Sequence, residues 1–291
     1  MGMIPWYVYA LLAAIFGTFF EISRKKALLK VHAMNFEAVR TLVIALLCIF
    51  LIPFIKLNIS INTLLLTYLS SLIGTIGILW MARALRHKEI SLIYPLSCIK
   101  PAFVAILAYF FLSESIGIKQ IVGIGIILVS TYLLESDHHF SDFTKPLKNI
   151  ISSKYNLYFV IAILIFSATT ILDKYIVSNY LDISTYFFLS WIFIAINFNI
   201  VHLVEFGFKD TSACFKKVHY LPLLVGFFGF FANFFGLKAL SMAYASLVPP
   251  ILMLSTLFIV FFGGRFFHEK YIWFRVAISA VMLIGVYLII M

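Results

Sequence analysis

Charged residues are scarce in this sequence, making up 12% of its 291 residues. Hydrophobic residues make up 63%, and the mean hydropathy is +1.07. A soluble domain is roughly 25% charged and about 45–50% apolar. This composition excludes a soluble globular fold, and it predicts an integral membrane protein with the lipid bilayer as its surroundings.

Cysteine is also rare, and no familiar catalytic motif is present. The three cysteines, Cys48, Cys98 and Cys214, are scattered, so they give neither a disulfide framework nor metal-ligand spacing. The sequence lacks a glycine-rich phosphate loop, an HExxH motif and a Ser-His-Asp set in register. We therefore expect a protein that is not an enzyme, uses no cofactor and is not driven directly by ATP.

Acidic residues are outnumbered, 12 against 22 lysines and arginines, which gives a net charge of +10. In a membrane protein this excess is typical of short loops that face the cytoplasm and anionic lipid, so no nucleic-acid partner is expected. The one acidic and histidine-rich stretch holds Asp137, His138, His139 and Asp142. It could bind a metal ion, but no fourth ligand follows at a regular spacing, and a solvated linker without metal is the favoured interpretation.

Long apolar runs dominate the chain. At roughly 20 residues a span, they predict an all-α integral membrane protein with ten transmembrane helices, and the first run is a span rather than a signal peptide. The predicted spans are 4–22, 35–55, 63–85, 91–112, 118–135, 155–177, 183–205, 219–241, 246–267 and 272–290.

The second half of the chain repeats the first. At a constant offset of 155, Ala84, Leu85, Ser91, Leu92, Pro95, Phe103, Phe111 and Glu114 are matched by Ala239, Leu240, Ser246, Leu247, Pro250, Phe258, Phe266 and Glu269. The early spans match more weakly, at an offset of 150, where Arg24 meets Lys174. We predict a five-helix repeat at 1–135, a polar linker at 136–154 and a second repeat at 155–291. Five spans per half give the halves opposite orientations, as in transporters with inverted repeats and a substrate site near the bilayer midplane.

Basic residues are distributed unevenly between the loops. Those after the odd-numbered spans, with the adjoining helix ends, hold 17 lysines and arginines, against 4 for the even-numbered ones. The positive-inside rule then places both termini outside the cell.

Lys100 is the most informative polar residue, because it lies near the centre of a predicted span. An isolated lysine there costs about 2.5–3.5 kcal/mol. It either meets an anionic group of a substrate or changes protonation during transport, or else it forms a structural ion pair, for which Glu21 and Asp173 are the candidates. The second repeat has Ser255 at this position, so the fold itself does not need the charge.

Several neighbours complete the predicted site. Pro101 removes a backbone donor and is expected to break its helix, with Tyr94 and Ser97 on the same face as Lys100, whereas Pro95 and Pro250 are expected to start theirs. Glu21 is either a proton-coupling carboxylate or an interfacial partner of the adjacent basic cluster, and Asp173-Lys174 is interpreted in the same way. The remaining candidates for the cavity wall are Trp80, Asn233 and Ser255.

With these motifs the chain resembles the drug/metabolite transporter superfamily, specifically its ten-helix members with two EamA domains. The resemblance rests on Ser-Leu-Ile-Tyr-Pro-Leu at 91–96, Phe-Leu-Ser-Glu at 111–114 and their counterparts at 246–250 and 266–269. It implies structural roles for Glu114 and Glu269, and cytoplasmic termini, against the charge count. Related four-helix pumps carry an embedded glutamate where this chain has Ala14, so cation antiport is not implied.

These observations together predict a secondary transporter or exporter of a small metabolite, amino-acid-like or otherwise bearing an anionic group. Two inverted halves would alternate access to a cavity lined by spans 1, 3, 4, 6, 8 and 9. The alternative is a flippase for a lipid-linked sugar or phosphate, since 91–96 also resembles the small four-span flippases. We expect a multi-pass protein of the cell (inner) membrane, either a monomer or a homodimer.

Overall fold

The computed structural model describes residues 4–56, 58–113, 117–135, 153–205 and 217–290. This part of the chain forms ten successive helices, two of which, α4 and α9, are each built from shorter segments. They are α1 Trp6–Leu28, α2 Ala33–Leu47, α3 Ile61–His87, α4 Ile90–Leu112, α5 Ile118–Glu135, α6 Lys154–Asn179, α7 Ile183–Glu205, α8 Leu221–Met242, α9 Val248–Phe266 and α10 Ile272–Ile290.

The all-α membrane fold predicted from the sequence is confirmed. Eight of the ten helices are long and apolar enough to cross a membrane. α2 continues into a 3-10 turn, Cys48–Phe54, and α1 runs to Leu28, six residues beyond its predicted end at 22. The extra turns of α1 keep residues inside the protein that the sequence placed in a loop.

The helices pack in pairs that repeat between the two halves. α1 packs against α8 and α9, and its counterpart α6 packs against α3 and α4. α2 faces α7, and α5 faces α10, so in these pairs each helix meets its own counterpart. This exchange of partners is the packing of two five-helix repeats about a pseudo-two-fold axis.

Two lysines show how the first helices of the halves align. Lys25 Nζ donates to the carbonyls of Leu85 and Lys88, each at 2.6 Å, at the end of α3. Lys174 Nζ donates to the carbonyls of Leu240 at 2.9 Å and Ala243 at 2.8 Å, at the end of α8. Lys25 is therefore the counterpart of Lys174, at an offset of 149. The predicted match of Arg24 with Lys174 is wrong by one residue, because side-chain identity is a weak guide in a diverged helix.

α4 and α9 are interrupted at equivalent places. α4 consists of Ile90–Leu96 and Ile99–Leu112, and α9 has its first interruption at Met253, which is 155 residues after Cys98. Pro95 is near the end of the seven-residue segment Ile90–Leu96, so the expectation that it starts its helix is wrong, whereas Pro250 lies in the first turn of Val248–Leu252, as expected. The two prolines occupy the same place in the repeat, three residues before Cys98 and Met253.

Some predicted features fall outside the described residues, namely Glu114, Cys214 and the stretch that holds Asp137, His138, His139 and Asp142. Within the described ranges, no three histidine, cysteine or acidic side chains are grouped so as to hold a metal ion.

Candidate functional site

A cavity of about 380 Å³ lies between the two halves. Eight helices contribute to its wall, α1 to α4 and α6 to α9. The sequence predicted six of these, and the structure adds α2 and α7. Cavities of this size hold small organic ligands, so the space is sufficient for a metabolite.

Six of the eight predicted site residues line this cavity, and two do not. Trp80 stacks on Tyr158 with ring centroids 5.7 Å apart, where α3 meets α6. Pro101 is buried in the second segment of α4, one turn beyond the interruption. The six at the cavity wall are Glu21, Tyr94, Ser97, Lys100, Asn233 and Ser255.

The interruption in α4 brings Tyr94, Ser97 and Lys100 to the cavity. The backbone N–H groups of Ser97 and Lys100 donate to the carbonyls three residues before them, both at 2.9 Å, so the chain tightens locally. Pro101 has no N–H to offer the Ser97 carbonyl. The second half has Thr256 at the position of Pro101 and is interrupted all the same, so Pro101 is not the cause of the shared break.

The two interruptions touch each other. Ser97 Oγ lies 3.5 Å from Thr256 Oγ1 and 3.6 Å from Met253 Sδ. These contacts join α4 of the first half to α9 of the second, so the two halves meet at the interruptions of these helices.

Lys100 faces the cavity without an ion pair. Among the described residues no carboxylate oxygen lies within 4.0 Å of its Nζ, which is 6.0 Å from the centroid of the Phe166 ring. Asp173 is close enough to attract it electrostatically. Glu21, the other candidate partner, pairs instead with Arg24 at 3.4 Å. The structure thus places both candidate acids at the cavity but puts neither in contact with Lys100.

A buried cluster of charges on α1 and α2 was missed by the sequence reasoning. Glu37, fully buried, accepts a hydrogen bond from Arg24 Nε at 2.7 Å and from Arg40 Nε at 2.5 Å. Both guanidinium groups also lie near the Phe20 ring, at 5.5 and 5.4 Å from its centroid. Arg40 stacks over Trp191 as well, at 5.6 Å.

This cluster corrects the loop-charge count. Arg24, Lys25 and Arg40 were counted as loop cations, yet they are 3%, 5% and 1% exposed. They hold internal partners rather than facing water or lipid headgroups. A signal was available, because Glu37 and Arg40 lie inside the predicted span 35–55 at the i, i+3 spacing of a helix face.

Asp173 lies in the cavity wall, at the position equivalent to Arg24. Its carboxylate accepts a hydrogen bond from Ser70 Oγ at 2.7 Å and another from the Tyr186 hydroxyl. The sequence left two interpretations of Asp173-Lys174, a proton-coupling carboxylate or an interfacial pair. In the structure they separate, because Lys174 points to the end of α8 and Asp173 to the cavity.

Comparison with known proteins identifies this architecture. The sequence profile of the EamA-like transporter family matches residues 4–136 and again residues 153–291. The chain belongs to the EamA-like transporter family. It is a multi-pass membrane protein of a transporter family, as the sequence motifs indicated.

Two further proteins are similar to this chain, one in sequence and one in fold. The uncharacterized protein MJ1333.1 of Methanocaldococcus jannaschii is 31% identical over 134 residues, which is 44% of this chain and 93% of that protein. That relative is therefore about one repeat long. A crystal structure of a protein with 10% identity covers 97% of this chain and 95% of its own, with a TM-score of 0.63, which shows a shared fold.

The polar groups of this EamA-like cavity are not equally satisfied. Glu21, Glu37 and Asp173 each accept at least one hydrogen bond. Arg40 Nη1 is buried and has no hydrogen-bond partner among the described residues. The hydroxyls of Tyr94 and Ser190 make no well-aligned hydrogen bond, although Glu21 lies near Tyr94 and Tyr186 lies near Ser190. The spare capacity is therefore in cationic donors and hydroxyl groups.

Proposed function

We propose that this protein is a secondary transporter or exporter that moves a small metabolite with an anionic group across the cell (inner) membrane. The observation that carries the proposal is Lys100, whose ammonium group faces the central cavity with no carboxylate within 4.0 Å among the described residues. A charge at this depth is costly unless it is paired. A substrate carboxylate or phosphate supplies the missing partner.

The other unsatisfied donors favour the same substrate class. Arg40 Nη1 is a buried donor without a partner, and a buried donor left unpaired costs about 1–3 kcal/mol or more when it is charged. Glu21 and Glu37 are already paired with arginines, whereas the Asp173 carboxylate accepts hydrogen bonds from the neutral hydroxyls of Ser70 and Tyr186. Tyr94, Ser97, Ser255 and Asn233 provide hydroxyl and amide groups for the rest of a polar metabolite.

The repeat supplies the route for alternating access. Each half contributes an interrupted helix, and the interruptions meet at Ser97 and Thr256. A short helix segment loses few packing contacts when it tilts, so such segments are suited to open one side of the cavity while the other stays closed. The two halves would then exchange inward-open and outward-open forms around the same site.

Counterflow in liposomes tests this function with a mixture of solutes in place of a single chosen substrate. Purified protein is reconstituted in vesicles loaded with unlabelled small-molecule extract of bacterial cells, and a carbon-13-labelled extract is added outside. We expect the wild type to exchange one or a few anionic metabolites, detected inside by mass spectrometry. Lys100→Ala should lower their exchange at least about tenfold, the factor for loss of roughly 1.4 kcal/mol.

Lys119→Ala is the matched control, because Lys119 is exposed at the start of α5. It should exchange the same metabolites at the wild-type rate. Equal exchange by Lys100→Ala and the wild type would overturn the assignment of Lys100, and exchange of cationic solutes alone would overturn the anionic substrate class.

A further inference from the structure

The two halves carry opposite charges at one equivalent position of the cavity wall. With the alignment that Lys25 and Lys174 establish, Arg24 of α1 corresponds to Asp173 of α6, and Glu37 of α2 corresponds to Tyr186 of α7. Arg24 is held by Glu37 at 2.7 Å, and Asp173 is held by the Tyr186 hydroxyl. The first position of this pair therefore holds a cation in the first half and an acid in the second. In each half, the side chain at the other position binds it.

The positive charge nearest to Asp173 in the cavity wall belongs to Lys100. Ser70 of α3 and Tyr186 of α7 donate hydrogen bonds to the Asp173 carboxylate, and Lys100 of α4 lines the same cavity, near enough to attract it electrostatically. The residues that α8 adds to the cavity wall, Ala232, Asn233 and Leu237, do not titrate. Lys174, the next residue on α6, is occupied by carbonyls of α8. The other charged groups at the cavity, Glu21, Arg24 and Arg40, are bound into the cluster on α1 and α2.

We propose that Asp173 is the proton-coupling residue of the transporter, and that it takes up a proton when an anionic group binds Lys100. This inference rests on the proposed function, because it needs an anion at Lys100. Before an anion binds, the Lys100 charge is available to stabilise the Asp173 carboxylate. A bound anion cancels that charge, so the carboxylate loses its stabilising neighbour and binds a proton from the open side.

The coupling works in both directions. Since the anion raises the proton affinity of Asp173, the proton raises the affinity for the anion by the same factor. The two therefore cross the membrane together, one proton with each anion, and both are released when the opposite side opens. Glu21, the coupling candidate from the sequence, is already paired with Arg24 and is not next to Lys100.

A first experiment needs no substrate. The infrared band of the protonated Asp173 carboxyl is followed as a function of pH in purified protein, with Asp173→Asn used to assign the band. Lys100→Ala mimics neutralisation by an anion and should raise the pH midpoint of this band by at least about one unit. Lys100→Arg keeps the charge and should leave the midpoint near that of the wild type. An unchanged midpoint in Lys100→Ala overturns the proposal.

Asp182→Asn is the matched control for the assignment. Asp182 precedes α7 and accepts hydrogen bonds from the backbone N–H and the hydroxyl of Thr185, at 3.2 and 2.8 Å. Asparagine and aspartate serve equally well before a helix, so this variant should fold and keep the Asp173 band. A band that disappears in Asp182→Asn, or persists in Asp173→Asn, belongs to another carboxyl and overturns the proposal.

A second experiment separates this inference from the proposed function. Vesicles receive the carbon-13-labelled extract with and without an imposed pH gradient, acidic on the outside. The result is the amount of labelled metabolite accumulated with the gradient divided by the amount accumulated without it. The wild type and Asp182→Asn should show a ratio well above one, and Asp173→Asn a ratio near one. If the wild type exchanges metabolites at a ratio of one, the transporter stands and proton coupling fails. If it exchanges none, the proposed function fails.

Discussion

The carboxylate of Glu269 accepts a hydrogen bond from the backbone N–H of Ser91, at 2.8 Å, across the boundary between the two halves. It also binds the N–H of Ile90 at 2.7 Å and the Ser91 hydroxyl. These donors lie in the first turn of α4, where N–H groups have no partner within the helix and a negative charge is favourable. Arg275 completes the contact by donating to Ser91 Oγ at 2.6 Å. One end of the helix that carries Lys100 is therefore held by the opposite half.

We expect Glu269→Ala to loosen the first segment of α4. Hydrogen bonds to charged groups contribute about 1.5–3 kcal/mol each, so amide hydrogen exchange of Ile90 and Ser91 should accelerate at least about tenfold. Exchange is measured by mass spectrometry of peptides that cover 88–98. Lys270→Ala, at the exposed neighbouring residue, should leave it unchanged. Equal protection in both variants would show that Glu269 does not hold the helix.

The sequence identified the partners of this contact but not the contact itself. The 155-residue repeat singled out Ser91 and Glu269 as shared positions. Lys100 was noticed because a lysine inside a span is energetically costly and indicates a functional site. That Glu269 binds the first turn of α4 depends on how the inverted halves pack. No local pattern contains that information, because the two residues are 178 positions apart.

Other parts of the site could not be predicted because charges near span ends are ambiguous. Arg24 lies two residues beyond the predicted end of the first span, where an arginine at the lipid interface and one inside the protein give the same sequence signal. The observed length of α1 decides between them. Trp80 was assigned to the cavity wall and lies between helices instead. An aromatic residue in a span packs equally well in either place, so the sequence does not distinguish them.

Glu37→Gln should destabilise the protein strongly. The carboxylate is fully buried between Arg24 and Arg40, and removing one partner of a buried ion pair costs about 3–5 kcal/mol because the remaining charges are uncompensated. We expect a lower midpoint of thermal unfolding in detergent, measured by intrinsic fluorescence, and a lower yield of monodisperse protein.

Glu89→Gln is the comparison for Glu37→Gln. Glu89 binds Arg275 at 2.6 Å, but its side chain is 46% exposed, against 0% for Glu37. Arg275 is buried, but it keeps Ser91 Oγ and Glu269 as partners when Glu89 is changed, so this variant should lose less stability than Glu37→Gln. Similar losses in the two variants would argue that burial of the cluster does not decide its contribution.

Lys25→Met and Lys174→Met should each lower stability, and by similar amounts. Each lysine donates to two carbonyls at the C-terminal end of a helix, where those acceptors have no partner within the helix and a cation is favoured. Loss of a charged donor costs about 1.5–3 kcal/mol. The loss of stability is measured as the shift in the thermal unfolding midpoint of each variant, with Lys119→Met as the exposed control. A change in one variant alone would contradict their equivalence in the repeat.

Gly285→Ala should disrupt the pairing of α5 with α10, while Gly125→Ala in the same pair of helices should not. A Cβ on Gly285 would lie 2.7 Å from the carbonyl oxygen of Gly123 and 2.9 Å from Ile127 Cγ1, whereas one on Gly125 would meet nothing within 4 Å. Backbone cannot yield as a flexible side chain does, so overpacking should cost about 1–3 kcal/mol.

The measurement for this pair is the thermal unfolding midpoint of each alanine variant against the wild type. Both changes remove the same backbone freedom from the unfolded chain, and alanine favours a helix over glycine by about 0.8–1.0 kcal/mol. Gly125→Ala should therefore be neutral or slightly stabilising, so a lower midpoint in Gly285→Ala reports the steric contact alone. If Gly285→Ala matched Gly125→Ala, the close approach of α5 and α10 at Gly123 would be refuted.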